Sequence, residues 1–111
     1  MFKLSNLLEN NHYKRLTLNQ EDVMVSDVYA TDLLSTAIKY MKSSVALITV
    51  ITSQSTLNLA LMLDLKLIIF TKDADVSESF IQKANEEGIS LVHTDYLTHE
   101  VIIDLVKRGL L

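Results

Sequence analysis

One segment near the middle of the chain, residues 45–70, constrains the fold more than any other. An apolar run at residues 45–51 is followed by a polar turn at residues 52–56, an apolar helix-like segment and a second apolar run at residues 65–70. Both runs are rich in Ile, Val and Leu without alternating polar residues, which is typical of strands covered on both faces. The pattern predicts a βαβ unit of a parallel sheet, with a ligand crevice where the first strand ends.

Helices and strands are also predicted on both sides of this unit. Before it we expect a short helix with Leu4, Leu7 and Leu8 on one face, an edge strand at residues 13–18, a polar turn at residues 19–22, a strand at residues 23–28 and a helix capped by Thr31. After it we expect a helix that begins in a capping box at residues 75–78 and stops at Gly88, a strand at residues 89–92, and a last helix from about Thr94 or Asp95 to Gly109. This order predicts an α/β fold, a single three-layer domain over residues 1–111 with a mostly parallel sheet of about five strands.

Two carboxylates flank the turn into the helix predicted after Thr31. Asp27 and Asp32 are five residues apart and could share a metal ion or a proton. The alternative is that Asp32 favours the positive end of the helix and Asp27 stabilises the turn. The buried stripe of this helix is predicted to consist of Leu33, Leu34, Ala37, Ile38 and Met41.

Composition and charge exclude several classes of protein. The 111 residues carry a net charge of −4, and no basic cluster is longer than two residues, which argues against nucleic acid as a partner. Without cysteine there is no disulfide framework, thiolate metal site or thiol nucleophile. The N-terminus lacks the apolar core of a signal peptide, and polar residues interrupt the long apolar region, so we expect a soluble, cytoplasmic protein without a membrane span.

Four stretches of the chain resemble a known family. They are VSDVYATDLLS at residues 25–35, ITVIT at residues 48–52, LIIF at residues 67–70 and ANEEGI at residues 84–89. Together they are similar to the DRTGG domain family, in order and spacing, over nearly the whole chain. The motif that names the family ends in a glycine pair, whereas residues 25–29 contain no glycine.

The resemblance to the DRTGG family carries expectations about fold and role. Members occur alone or as regulatory parts of some inorganic pyrophosphatases and phosphotransacetylases, and they are similar in fold to the N-terminal domain of HPr kinase. The resemblance therefore implies a parallel α/β domain that forms homodimers and regulates. It assigns no reaction to the members that stand alone.

The turn after the first central strand is the candidate binding site. Its hydroxyls and amide precede a helix whose free N–H groups and dipole favour an anion. The alternative is that Ser53 or Ser55 simply caps that helix. With the neighbouring strand ends included, the candidate ligand-binding residues are Asp27, Thr31, Thr52, Ser53, Gln54 and Ser55.

Polar residues at the strand ends also resemble parts of two other kinds of site. A phosphoacceptor receiver domain also places Asp, Thr and Lys at strand ends, as Asp27, Thr52 and Lys72 would be. In a receiver domain an acidic pair lies at the end of the preceding strand, which a crossover connection separates from the strand of the phosphoacceptor Asp. Residues 21–22 are too close to Asp27 for such a connection. His93 and His99 could converge in the fold, but two isolated histidines lack the remaining ligands of a metal site.

These observations favour a non-catalytic regulatory or ligand-sensing domain. We expect it to be a homodimer that binds a small anionic ligand, a nucleotide or a phosphometabolite, at the carboxyl ends of the strands. We expect no cofactor, no metal and no catalytic residue, because no nucleophile, base and orienting group can be assembled from the motifs. The alternative is a pure interaction subunit that docks on a signalling or metabolic protein through exposed Ile, Leu or Tyr of the last helix.

Overall fold

Five strands form one sheet through the middle of the molecule. The computed structural model describes residues 1–19 and 21–111, and its strands there are β1 (Phe2–Lys3), β2 (Tyr13–Arg15), β3 (Met24–Val25), β4 (Asp27–Ala30), β5 (Val45–Thr49), β6 (Leu67–Phe70) and β7 (Ser90–Thr94). The helices are α1 (Leu4–Leu8), α2 (Leu34–Tyr40), α3 (Gln54–Met62), α4 (Glu78–Glu87) and α5 (Thr98–Lys107). The main sheet has the order β2-β7-β6-β5-β4, and β1 pairs with β3 separately.

The two apolar runs form the centre of the sheet. Every residue of β5 and β6 is buried, and the two strands run parallel with Leu47 opposite Ile68. β4 and β7 extend the parallel part on either side, and β2 is an antiparallel edge strand beside β7. The predicted βαβ unit, the parallel sheet of about five strands and the edge position of residues 13–15 are therefore confirmed.

Helices cover both faces of the sheet and complete a three-layer α/β fold. On one face α2, α3 and α4 bury Ala37, Leu57 and Phe80 against the central strands. On the other face, α1, α5 and the small β1–β3 sheet form a second core. The parallel strands require this double cover because both of their faces are apolar. The helices within the described residues are all too short to pass through a bilayer.

The strand predicted at residues 23–28 is two strands in the structure. β3 pairs antiparallel with β1, whereas β4 joins the main sheet beside β5. The two strands part at Ser26, whose N–H donates to the Ser44 carbonyl and whose hydroxyl lies 2.9 Å from the Ser44 hydroxyl. These tertiary hydrogen bonds have no local signal, so the prediction of one continuous strand was wrong. Gln20, within the predicted polar turn, lies outside the described residues.

The helix after β4 begins later than predicted. Its first residue is Leu34, and the Thr31 hydroxyl accepts the Leu33 N–H in a turn before the helix instead of capping it. Ala37 and Met41 are buried as predicted, but Leu33 is 63% and Ile38 55% exposed. The predicted stripe was too wide because α2 lies beside the edge strand β4, where fewer neighbours cover it.

The ends of the last two helices also differ in detail from the prediction. Ser77 is the N-cap of α4 and accepts the Phe80 N–H at 3.1 Å, so Glu78 is the first helical residue and the predicted capping box is wrong. Gly88 ends α4 in the left-handed conformation at φ 73°, as predicted. α5 begins at Thr98 because β7 extends through Thr94, three residues before the helix cap.

Candidate functional site

A crevice opens between the starts of α3 and α4, where β5 and β6 end. We call it the α3–α4 crevice. Its volume is about 370 Å³, and its lining residues are Thr52, Gln54, Leu57, Ser77, Ser79, Phe80 and Lys83. Both helices follow parallel strands, so their N-termini come to the same edge of the sheet.

The start of α3 is held by a buried threonine. The Thr56 hydroxyl is buried and donates to the Ile51 carbonyl at 2.7 Å, which fixes the turn between β5 and the helix. Ser53 occupies the N-cap position, but its side chain makes no capping hydrogen bond. The first N–H groups of an α-helix have no intrahelical acceptor, so this helix start retains donors that an anion can use.

The start of α4 contributes hydroxyls and a lysine. The Ser77 and Ser79 hydroxyls lie 3.1 Å apart. Lys83 lines the crevice from the second turn, with its side chain 46% exposed and its Nζ 3.4 Å from Glu87. Such an exposed ion pair is worth little, so the ammonium group can turn towards a ligand at small cost. Two helix N-termini and one cation therefore border the same space.

The structure brings only some of the predicted site residues together. Thr52 and Gln54 line the α3–α4 crevice, whereas Ser53 is exposed outside it. Ser55 lines a different, apolar groove between α2 and α3. Neighbouring residues at a helix start point in different directions around the helix axis, which separates Ser55 from Gln54.

Asp27 lies at the opposite end of the sheet from this crevice. It pairs with Val45, the first residue of β5, so it stands at the amino ends of the parallel strands. Its carboxylate accepts the Val28 N–H at 2.8 Å. The prediction that placed it near Thr52 was wrong, because Asp27 begins β4 instead of lying at the end of one strand over residues 23–28.

Thr31 and Asp32 do follow the carboxyl end of β4, but their side chains are engaged in hydrogen bonds within the protein. The Thr31 hydroxyl lies within hydrogen-bonding distance of the Leu33 backbone and of the Thr36 hydroxyl. Asp32 accepts from the Thr49 hydroxyl at 2.8 Å and from the Val50 N–H at 2.9 Å. Asp32 therefore joins β4 to β5 and neither begins a helix nor meets Asp27.

Sequence reasoning missed the half of the crevice that belongs to α4. Ser77 and Ser79 follow β6 just as Thr52 follows β5, so the rule that ligands bind at strand ends could have indicated them. Lys83 carries no such signal, because only the packing of α4 against α3 turns it towards the crevice.

His93 and His99 do not converge on one site. His93 lines a pocket at the ends of β2 and β7, whereas His99 lines a separate one beside α5. Within residues 1–19 and 21–111, no three His, Cys, Asp or Glu side chains are grouped so that they could hold a metal ion.

Comparison with known proteins supports the fold. The chain is similar to the crystal structure of the CBS and DRTGG domains of the regulatory region of Clostridium perfringens pyrophosphatase, complexed with the activator diadenosine tetraphosphate, with a TM-score of 0.74 and 16% sequence identity. The match covers 90% of this chain and 44% of that one, so this chain spans less than half of its length. No family model and no curated protein matches. The likeness shows a DRTGG-like α/β fold that also occurs in a regulatory region.

Proposed function

We propose that this protein is a non-catalytic regulatory domain of the DRTGG type, comprising residues 1–111, that senses a small anionic ligand in the α3–α4 crevice. The observation that carries the proposal is the meeting of two helix N-termini with Lys83 around one open space. Helix N-termini favour anions through their free N–H groups and the helix dipole. Hydroxyl groups of Thr52 and Ser79 add donors for phosphate oxygens.

The size and lining of the crevice favour a nucleotide or a phosphometabolite. Its volume of about 370 Å³ lies within the range of roughly 300–1,000 Å³ that is usual for sites of small organic ligands. Leu57 and Phe80 form an apolar floor, while the polar groups lie around them. A ligand with an apolar part and a phosphoryl group suits this combination.

A regulatory role agrees with the fold comparison and with the chemistry of the crevice. The similar structure belongs to the regulatory region of an enzyme and was determined with an activator nucleotide. Among the described residues that line the crevice, no carboxylate or imidazole is available as a general base. Occupancy would act by favouring one of two states of the protein or of its partner contacts. Cytoplasmic residence, in keeping with a chain without cysteine, is part of this proposal.

A thermal-shift screen of nucleotides and phosphometabolites tests the proposal. A ligand at one hundred times its Kd adds about 2.7 kcal/mol to the free energy of unfolding. Lys83→Met should remove most of this stabilisation. Lys66→Met is the matched control, because Lys66 is 47% exposed, is ion-paired with Asp64 and lies at the other edge of the sheet. Equal ligand stabilisation in both variants, or none in the wild type across the screen, would reject the site.

Self-association is the second part of the proposal, and the outer surface of α2 and α3 is its proposed interface. Ile38, Tyr40 and Met62 are 55%, 67% and 63% exposed. A groove of about 270 Å³ runs between the two helices, and its lining contains no charged residue. Two copies of an uncharged apolar surface can meet without repulsion, although the chain carries a net charge of −4.

Light scattering coupled to gel filtration tests the dimer. Met62→Lys should convert a dimer to a monomer, because it buries an unpaired charge in the interface. Ile103→Lys on α5 is the control, since Ile103 is 49% exposed on the other face of the sheet. A wild-type monomer at micromolar concentration would contradict the proposed dimer.

Exposed apolar residues on α5 favour a second candidate function, docking on another protein. Ile103 and Val106 are 49% and 58% exposed on a helix whose opposite face is buried in the core. A pure interaction subunit would lose its partner on Ile103→Lys, and no metabolite would raise its melting temperature. The ligand screen therefore separates the two functions.

A further inference from the structure

A second polar pocket also lies where the parallel strands end, but beside β7 and β2 instead of β5 and β6. We call it the β2–β7 pocket. It has a volume of about 240 Å³ and is lined by Asn11, His12, Lys14, His93 and Asp95. β2 runs antiparallel to β7, so the beginning of β2 meets the carboxyl end of β7. Residues from two distant parts of the sequence are thereby gathered where the parallel strands end.

Lys14 and His93 are direct neighbours across the two strands. The register pairs Lys14 with His93, which places their side chains on one face of the sheet with Cβ atoms about 5 Å apart. Lys14 is exposed, and no carboxylate of the described residues lies within ion-pairing distance of its ammonium group. The pocket therefore contains a cation that forms no ion pair with the described part of the protein.

His12 is held in a fixed orientation beside them. Its Nδ1 lies 2.7 Å from an Asp95 carboxylate oxygen, and its ring stacks on Tyr96 with centroids 4.4 Å apart. When Asp95 accepts the Nδ1 proton, Nε2 is left for another partner. The one carboxylate among the lining residues is thus already paired, and Lys72 adds a further positive charge near it.

His93 supplies the observation that points to a ligand. Its Nε2 is buried and has no hydrogen-bond partner among the described residues. Buried polar atoms in proteins almost always have a partner, which is protein, water or a bound group. The His93 side chain lines the pocket, and in its Nε2–H tautomer this nitrogen has a proton for which the described residues supply no acceptor.

We propose that the β2–β7 pocket binds a small oxyanion, a phosphate or a carboxylate group, between Lys14, His12 and His93. Lys14 supplies the charge, and the His93 imidazole and the Asn11 amide supply directed donors. His12 adds a donor from Nε2 when both of its ring nitrogens are protonated. The volume of about 240 Å³ is below the roughly 300 Å³ at which sites for whole organic ligands begin, so a small ion or a terminal group fits better than a nucleotide. A metal ion is not the proposed occupant, because the described residues do not group the three ligands that it would need.

The test is a titration of the full chain with inorganic phosphate and, separately, with acetate, at constant ionic strength kept with chloride. The side-chain NMR signals of His12 and His93 should shift saturably. Lys14→Met should weaken binding at least about tenfold, because it removes a charge-assisted hydrogen bond. Lys42→Met is the charge-matched control, since Lys42 is exposed just before β5, at the amino ends of the strands, and should leave binding unchanged.

The outcomes of this titration can be told apart from those of the ligand screen for the α3–α4 crevice. A response to phosphate alone identifies a phosphoryl site, and a response to acetate as well identifies a general oxyanion site. Binding that survives Lys14→Met, or that is lost in Lys83→Met instead, overturns the proposal. Histidine signals that respond to neither anion also overturn it. Because Lys14 is exposed, its replacement should not prevent folding, which an unchanged amide spectrum of Lys14→Met verifies.

Discussion

Two polar regions of this molecule differ in whether their side chains hydrogen-bond to one another or border an open space. Between the N-terminal segment and α5, Asp104 accepts hydrogen bonds from Tyr13, Asn10 and Arg108, and Arg108 also donates to the carbonyls of Asn6 and Leu7. We call this group the α5 cluster. In the α3–α4 crevice, by contrast, hydroxyls, an amide and a lysine border an open space of about 370 Å³.

The difference shows how to tell a polar group that stabilises the fold from one that can bind a ligand. The bonds between the N-terminal segment and Asp104 or Arg108 join elements far apart in sequence, so these partners meet only on folding, whereas the bond between Asp104 and Arg108 is local to α5. The groups of the crevice bond within their own helix or to nothing in the described chain, as Gln54 does with Asn58. Substitutions in the first region should therefore lower stability alone, and those of crevice side chains without a structural bond should lower ligand binding alone.

The largest expected effect is that of Asp104→Ala in the α5 cluster. It should lower the free energy of unfolding by about 3 kcal/mol, because Arg108 and Tyr13 lose a charged partner in a largely buried position. Ligand-induced stabilisation should not change. Urea denaturation with and without the ligand measures both quantities, and Asp73→Ala, at an exposed carboxylate, is the control.

The same cluster predicts a pH dependence of stability. Burial alone would raise the pKa of Asp104, but hydrogen bonds from Arg108 and Tyr13 outweigh it and hold the pKa below its ordinary value. A carboxyl group with a lowered pKa in the folded state stabilises above its unfolded pKa of about 4, and this contribution is lost as the pH falls through the folded pKa. The stability difference between wild type and Asp104→Ala should therefore shrink below about pH 4. A difference that stays constant down to pH 2 would show that the charge of Asp104 is not what stabilises the contact.

A smaller effect is expected at Asp32, which lies at the carboxyl edge near the crevice but is used by the fold. Asp32→Ala leaves the buried Thr49 hydroxyl and the Val50 N–H without their acceptor and should cost about 2 kcal/mol. Ligand stabilisation should remain. If ligand binding is lost in a variant that still folds, Asp32 belongs to the binding site and the division between the two regions fails. Asp75→Ala, at an exposed carboxylate, controls for the lost charge.

The two helix starts of the crevice should respond differently to loss of a hydroxyl. Ser77→Ala should cost about 1 kcal/mol, because the Ser77 hydroxyl accepts the Phe80 N–H as the N-cap of α4. Ser53→Ala should change stability by no more than a few tenths of a kcal/mol, since the Ser53 side chain makes no cap bond. Thermal denaturation of the two variants measures this difference directly. Equal losses would mean that Ser53 caps α3 in solution.

Thr52→Val within the crevice should likewise have only a small effect on stability. Its hydroxyl has no hydrogen-bond partner in the described chain, so stability should stay within about 0.5 kcal/mol of the wild type. Ligand-induced stabilisation should nevertheless fall, which a thermal shift with the best ligand of the screen detects. An unchanged shift would remove Thr52 from the site.

The elements that the sequence predicted well are those with strong local or periodic signals. Uninterrupted apolar runs predicted β5 and β6, and Gly88 marked the end of α4 because a left-handed residue is wanted there. Thr52 and Gln54 were found because the end of a buried strand is easy to recognise. Asp27 was misplaced because the break at Ser26 rests on a bond to Ser44, 18 residues away.

The chain by itself determined a parallel α/β domain and the edge of the sheet at which ligands are expected. It could do so because apolar burial and helix or strand periodicity are properties of neighbouring residues. Only the tertiary structure decided which polar groups are paired and which stay open. Lys83 reaches the crevice by the packing of α4 on α3, and Lys14 meets His93 by the register of β2 on β7. Such contacts depend on how distant elements are oriented, and no local pattern of residues encodes that.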